Sequence, residues 1–229
     1  MPSPLDNHSC KANIRNVIFD LDGTLVDSIE GIEVSTRTAL LQTLPGETIP
    51  DLKALIGPPV AIMFARAWPD LAPERMKRLL LAFRIHYALV GCLRSIPFPG
   101  VSETLTHLQS SDIRMFVLTN KPAEPTQVIL EHLQLAGFFC KILSPDSVDP
   151  PSPTKRQGAR HLMEQFKLSP RQTALIGDGE DDANAADECG FRFIRAAYGY
   201  GPPPSPREER VETFSEIESL LLQPPLGNT

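Results

Sequence analysis

The sequence predicts an α/β fold: an open, doubly wound parallel sheet with helices on both faces, carrying an inserted all-helical subdomain. Three observations predict it. Four short apolar runs, at Asn16–Phe19, Arg114–Leu118, Thr173–Ile176 and Phe191–Ile194, each stop at polar or loop residues, as strands buried on both faces do. Helical patterns lie between these runs, and alternating strand and helix signals indicate a Rossmann-like parallel sheet. One long segment, 28–98, breaks the alternation with helical patterns alone.

The helices follow from spacing and end signals. Pro125 suits a first helical position, with Val128, Ile129, His132 and Leu133 on one face behind it. Ala159, Leu162, Met163 and Phe166 repeat the pattern. Ser215 and Glu218 have capping-box spacing before the run Leu220–Leu222. Inside the interrupting segment, Met76, Leu79, Leu80, Phe83, Tyr87 and Val90 make one apolar stripe, and Pro73 is placed to start that helix. No strand is expected between Ser28 and Pro99. The division is therefore a core domain over 14–27 and 99–223 and a helical cap over 28–98. An insertion after the first strand sits at the carboxyl edge of the sheet, where open α/β folds place their sites. Residues 1–13 read as a disordered arm and 224–229 as a loose tail.

Composition narrows the function classes. The 229 residues are 41% hydrophobic and 22% charged, with a net charge of −6 and no long basic block, which argues against nucleic acid or anionic membrane as the main partner. Nothing approaches the roughly 20 apolar residues of a membrane span, and no secretory signal is visible. Cys10, Cys92, Cys140 and Cys189 are scattered, without metal-site spacing, and fit reduced thiols of a cytoplasmic protein. Proline clusters at 145–153 and 202–206 mark surface loops. The histidines at 8, 86, 107, 132 and 161 form no ligand-like pair, and Trp68 reads as a packing residue.

Chemistry concentrates at the strand ends. Asp20 and Asp22, in DLDGTLVDS, leave the same face of an extended segment, and two such carboxylates can divide the work of nucleophile and general acid/base. Gly23 allows close backbone approach to an anion. A bare DxDG is also a common turn; the apolar strand before it and TLVDS after it favour the site. Thr119 and Asn120, in LTNKP, offer a hydroxyl and amides to phosphoryl oxygens, or simply cap a helix. Lys155 opens a helical pattern and can neutralise a phosphoryl oxygen, or stand solvated at the surface. Asp178 and Asp182, in GDGEDD, supply oxygen ligands that suit Mg²⁺; an acidic helix N-terminus is the competing reading.

The order DLDGT, LTN, Lys, GDxxxD, running from about Val17 to Gly201, resembles the haloacid dehalogenase superfamily. LIGPP at 55–59, YALVGCLRSIPFPGV at 87–101, TNKPAEPTQVILEHL at 119–133 and YGYG at 198–201 resemble its phosphoglycolate phosphatase-like branch. The resemblance implies a Mg²⁺-dependent phosphatase acting on a small phosphorylated metabolite; chain size and the lack of a coiled-coil signal leave monomer and homodimer both open. It implies Asp20 as nucleophile and Asp22 as general acid/base, with the Asp22 carbonyl on the metal. Thr119 and Lys155 would bind the phosphoryl group, with Gly23 and Asn120 beside them. Asp178 would complete the metal site, supported by Asp182, and a helical cap would close over it. Arg94, Ser95 and Ile96 replace the polar and basic pair common in the cap of relatives, and PPSPTKRQGA replaces the usual KPxP around the lysine. A nucleotidase, a pyrophosphatase and a phosphosugar mutase are the alternatives on this scaffold, with a non-catalytic relative further off.

Overall fold

A computed structural model describes residues 14–147, 149, 151 and 154–222. The arm and the tail expected at the two ends lie outside these residues. The described chain forms a six-stranded sheet in the order β5-β4-β1-β6-β7-β8, in which every neighbouring pair is parallel. The central strands are β1 (Asn16–Phe19), β4 (Arg114–Leu118), β6 (Thr173–Gly177) and β7 (Arg192–Ala196). They match the four apolar runs, with β7 starting one residue late and running two residues further. Phe191 packs under the sheet instead of pairing in it. Two edge strands escaped the sequence reading: β5 (Lys141–Leu143) and β8 (Arg210–Val211).

Alternation along the strands builds the two faces. Val17, Phe19, Met115, Val117 and Ile176 join one apolar cluster, with Leu105 of α4 (Val101–Ser110), Ile129 of α5 (Ala123–His132) and Ile217 of α8 (Glu216–Leu221). Ile18, Phe116, Leu118 and Leu175 join a second cluster, with Leu162 of α6 (Lys155–Phe166) and Ala185 of α7 (Glu180–Cys189). Side chains at i and i+2 share a face, so each strand feeds both layers. This is the doubly wound α/β architecture.

The register then fixes where the site must be. Phe19 lies opposite Val117 on one side and Ile176 on the other. Asp20, Thr119 and Asp178 each follow the last residue of their strand, so all three emerge at one edge of the sheet.

The inserted segment leaves the core through β2 (Val26–Asp27) and returns through β3 (Ile96–Pro97), which pair antiparallel. The ribbon corrects the expectation that no strand lies between Ser28 and Pro99. Two residues are too few to show any periodicity. Between them come α1 (Ile29–Thr43), α2 (Val60–Ala67) and α3 (Pro73–His86), followed by a π turn at Tyr87–Gly91. Pro73 is the first residue of α3, and Leu79, Phe83 and Tyr87 are buried as the stripe requires. Val90 falls out of the stripe and is exposed. The wider π turn shifts the helical phase, so Gly91 and Cys92 are buried in its place.

Backbones touch where α1 meets this turn. A Cβ on Gly31 would lie 2.1 Å from the Gly91 carbonyl oxygen, so no side chain fits between them. Beside it, Ser35 Oγ and His86 Nδ1 are 3.0 Å apart.

Two helix ends differ from expectation. Pro125 is the third residue of α5 rather than its first, with Pro122 as the flanking residue. It still lies in the first turn, where an amide has no intrahelical partner to lose. His132 is exposed, and Thr126, Ile129 and Leu130 form the buried face. The expected capping box at α8 does not form: the Ser215 side chain makes no capping bond, and Glu218 Oε2 lies 2.8 Å from His107 Nδ1 instead.

Candidate active site

The strand ends bring three carboxylates together. Asp20, Asp178 and Asp182 each place an oxygen within 4.8 Å of the others, and all three residues are buried. Lys155, the first residue of α6, points its ammonium into the cluster. Its Nζ lies 2.8 Å from Asp20 Oδ1 and 2.7 Å from Asp182 Oδ1. Lys155 is therefore buried rather than surface-solvated, and Thr154 caps its helix by accepting from the Gln157 amide.

Main-chain donors orient the acids. Asp178 Oδ2 accepts from the amides of Tyr200 at 2.7 Å and Gly201 at 3.0 Å. The Asp178 carbonyl accepts from Arg195, whose guanidinium also pairs with Glu208. Asp182 Oδ2 accepts from the Gly179 amide at 3.2 Å, so this acid does serve the helix N-terminus as well. Gly23 stands against Asp178 with φ of +81°, and a Cβ there would fall 2.3 Å from Asp178 Oδ2. The anion that Gly23 admits is thus the protein's own carboxylate.

Asp22 takes a different partner. Its carboxylate accepts from Lys121 Nζ at 2.8 and 2.9 Å, and it lies outside the three-acid group. Lys121 does not stand out in the sequence, although it belongs to LTNKP; a lysine at a strand end reads as a surface residue until the fold sets it opposite Asp22. Its ammonium also lies 4.9 Å from the centre of the Tyr87 ring, which comes from the cap. Thr119 is buried, and its Oγ1 accepts from the Lys121 amide at 3.1 Å. Asn120 donates its side-chain amide to the Gly57 carbonyl at 3.0 Å and to Asp181 Oδ2 at 3.1 Å, which joins the core to the cap. The YGYG segment adds a second junction. Tyr200 donates its hydroxyl to Asp27 Oδ1 at 2.6 Å and accepts from the Ser28 amide at 2.7 Å.

The electrostatics ask for a cation. Burial first, with Asp182 and Asp178 adding to it, raises the Asp20 carboxyl well above its ordinary 3.8, more than Lys155 lowers it. Burial, then Asp182, raises Asp178 to about 6. Burial acts to lower the Lys155 ammonium, but Asp182 and Asp20 outweigh it and hold it above the ordinary 10.5. With all groups ionised, three carboxylates face one ammonium, so two negative charges stand uncompensated. A hard divalent cation with oxygen ligands suits that charge and donor set.

A pH dependence follows. A raised folded pKa favours the protonated acid, so the contribution of Asp178 to stability is present below about 4 and lost as pH rises through about 6. Protons and a divalent cation then compete for the same oxygens. The rise in melting temperature on adding Mg²⁺ is expected to be larger at pH 7.5 than at pH 5. An equal or larger rise at pH 5 would contradict a metal site on these carboxylates.

The chain belongs to the haloacid dehalogenase-like hydrolases, whose family model matches residues 17–196, and it is a phosphatase of the phosphoglycolate phosphatase-like kind. It is 30% identical to a phosphoglycolate phosphatase of Pasteurella multocida over 216 residues, covering 89% of this chain and 96% of that one. It is 29% identical to the phosphoglycolate phosphatase of Vibrio vulnificus over 195 residues, covering 82% and 85%. A crystal structure from Haemophilus somnus, described as a predicted phosphoglycolate phosphatase, superposes with a TM-score of 0.79. It shares 26% identity and covers 91% of this chain and 98% of that chain.

Proposed function

We propose that the chain is a Mg²⁺-dependent phosphatase that hydrolyses a small phosphomonoester through an aspartyl-phosphate on Asp20. The observation that carries this reading is the buried Asp20 carboxylate, bracketed by Asp178, Asp182 and the Lys155 ammonium. Asp20, Asp178 and the Asp22 carbonyl would hold the ion, with Asp182 in support. When bound, Mg²⁺ supplies positive charge for the phosphoryl oxygens.

The protein's own groups do the rest. Asp20 attacks phosphorus in line, forming the bond from its carboxylate oxygen as the bond to the leaving oxygen breaks. Lys155 and the Thr119 hydroxyl offset charge on the phosphoryl oxygens. Asp22 gives its proton to the leaving oxygen. It then takes a proton from water, which attacks phosphorus and frees Asp20. Lys121 faces both Asp22 oxygens and offsets the charge that Asp22 carries once its proton has gone to the leaving oxygen. The partner is then a small phosphorylated metabolite rather than nucleic acid or membrane, and the setting is the cytoplasm. Among the described residues no helix is long and apolar enough to cross a membrane.

Purified protein is expected to release phosphate from one or more small esters with Mg²⁺ present and to lose that activity in excess EDTA. The panel is 2-phosphoglycolate, nucleoside monophosphates, pyrophosphate and sugar phosphates. Release that persists in EDTA would defeat the metal assignment. No release by folded protein with Mg²⁺ would defeat the phosphatase mechanism.

A further inference from the structure

Resting on that phosphatase reading and narrowing its substrate, we propose that the site is built for phosphomonoesters with an apolar body rather than for a compact ester carrying a second anionic group. The cavity above Asp20 has a volume of about 210 Å³ and lies between the core and the inserted helices. Its floor is polar, with Asp20, Asp22, Thr119 and Lys121. Its wall is of the opposite character. Ile32, Ile56, Val60, Met63, Phe83 and Tyr87 all face it, from α1, the loop before α2, α2 itself, α3 and the π turn.

Charge decides what this wall accepts. A carboxylate or second phosphate on the leaving group needs a cation held ready for it, because burying an unpaired charge is strongly unfavourable. Lys155 is already shared by Asp20 and Asp182, and Lys121 is held by both oxygens of Asp22. Among the described residues, Arg84 is the remaining cation along the cavity; it is exposed, and Glu124 lines the same cavity with the opposite charge. Arg94 pairs with Glu30 on the outside. Among the described residues the wall therefore offers no buried cation to a second anion and a mostly apolar surface, which gains free energy from apolar area on the substrate.

Linear alkyl phosphates test this, because their leaving groups have similar basicity and differ in apolar length. Phosphate release by the purified full chain with Mg²⁺ is measured for ethyl, butyl and hexyl phosphate and for 2-phosphoglycolate. The expected result is that kcat/KM rises at least about tenfold from ethyl to hexyl phosphate, with 2-phosphoglycolate below hexyl phosphate. Val60→Asp, which puts a carboxylate into the wall at a helix N-terminus that tolerates one, is expected to collapse the hexyl-to-ethyl ratio. Two results would overturn the proposal while leaving the phosphatase reading intact. One is a ratio near or below one. The other is 2-phosphoglycolate as the best substrate with a KM raised selectively by Arg84→Gln. Absence of release from every ester by folded, Mg²⁺-loaded protein would overturn both.

Discussion

Asp20→Asn is expected to lower phosphate release by about 10⁴-fold or more, the scale seen when a covalent nucleophile is removed. An amide cannot form the acyl phosphate, and Lys155 cannot supply the missing electron pair. The same substitution should not destabilise the metal-free chain. Burial and two neighbouring carboxylates disfavour the ionised form of Asp20, so a neutral isostere relieves a cost. The amide oxygen can still accept the bond that Lys155 gives to Oδ1. Turnover and thermal melting in EDTA together make the check. A variant with a rate within tenfold of wild type would remove Asp20 as the nucleophile. A variant that melts well below wild type would show that Asp20 is needed to hold the fold.

Lys155→Met carries the largest expected stability effect. The ammonium is buried and reaches both Asp20 and Asp182. Removing it leaves three buried carboxylates with no cation among them. Breaking a buried ion pair from one side typically costs 3–5 kcal/mol, and a loss of about that size is expected by urea unfolding in EDTA. Mg²⁺ should restore part of it, and adding Asp182→Asn to the variant should restore part even without metal. A loss under about 1 kcal/mol in EDTA, against that expected range, would mean that the cluster is not charged as described.

Legibility in the sequence tracked burial. The four central strands were readable because both faces are covered and most of each run is made of apolar residues. The strands β5 and β8 lie at the edges, are two or three residues long, and begin with Lys141 and Arg210, so they carry neither length nor pattern. The ribbon of Val26–Asp27 and Ile96–Pro97 was invisible for the same reason. In the site, residues that directly follow a strand could be named: Asp20, Thr119 and Asp178. Asp22, Lys155 and Asp182 could be named from their motifs, but the partners that side chains and amides take across the fold could not. Lys121 matters through Asp22, 99 positions away. Tyr200 and Gly201 matter through backbone amides, which leave no side-chain signature. Asn120 was named as a phosphate ligand from its place in the motif; its side chain is engaged with Gly57 and Asp181.

The backbone contact between Gly31 and Gly91 has a mechanical consequence. Two helices pressed together without intervening side chains have little room to slide, so the inserted helices are stiff within themselves. The core is a sheet packed on both faces and is stiff as well. The two units are joined along a broad seam: the π turn lies against α5, Tyr87 faces Lys121, Tyr200 bonds Asp27 and Ser28, and Asn120 bonds Gly57. Any displacement of the inserted helices as one body would have to break these contacts together.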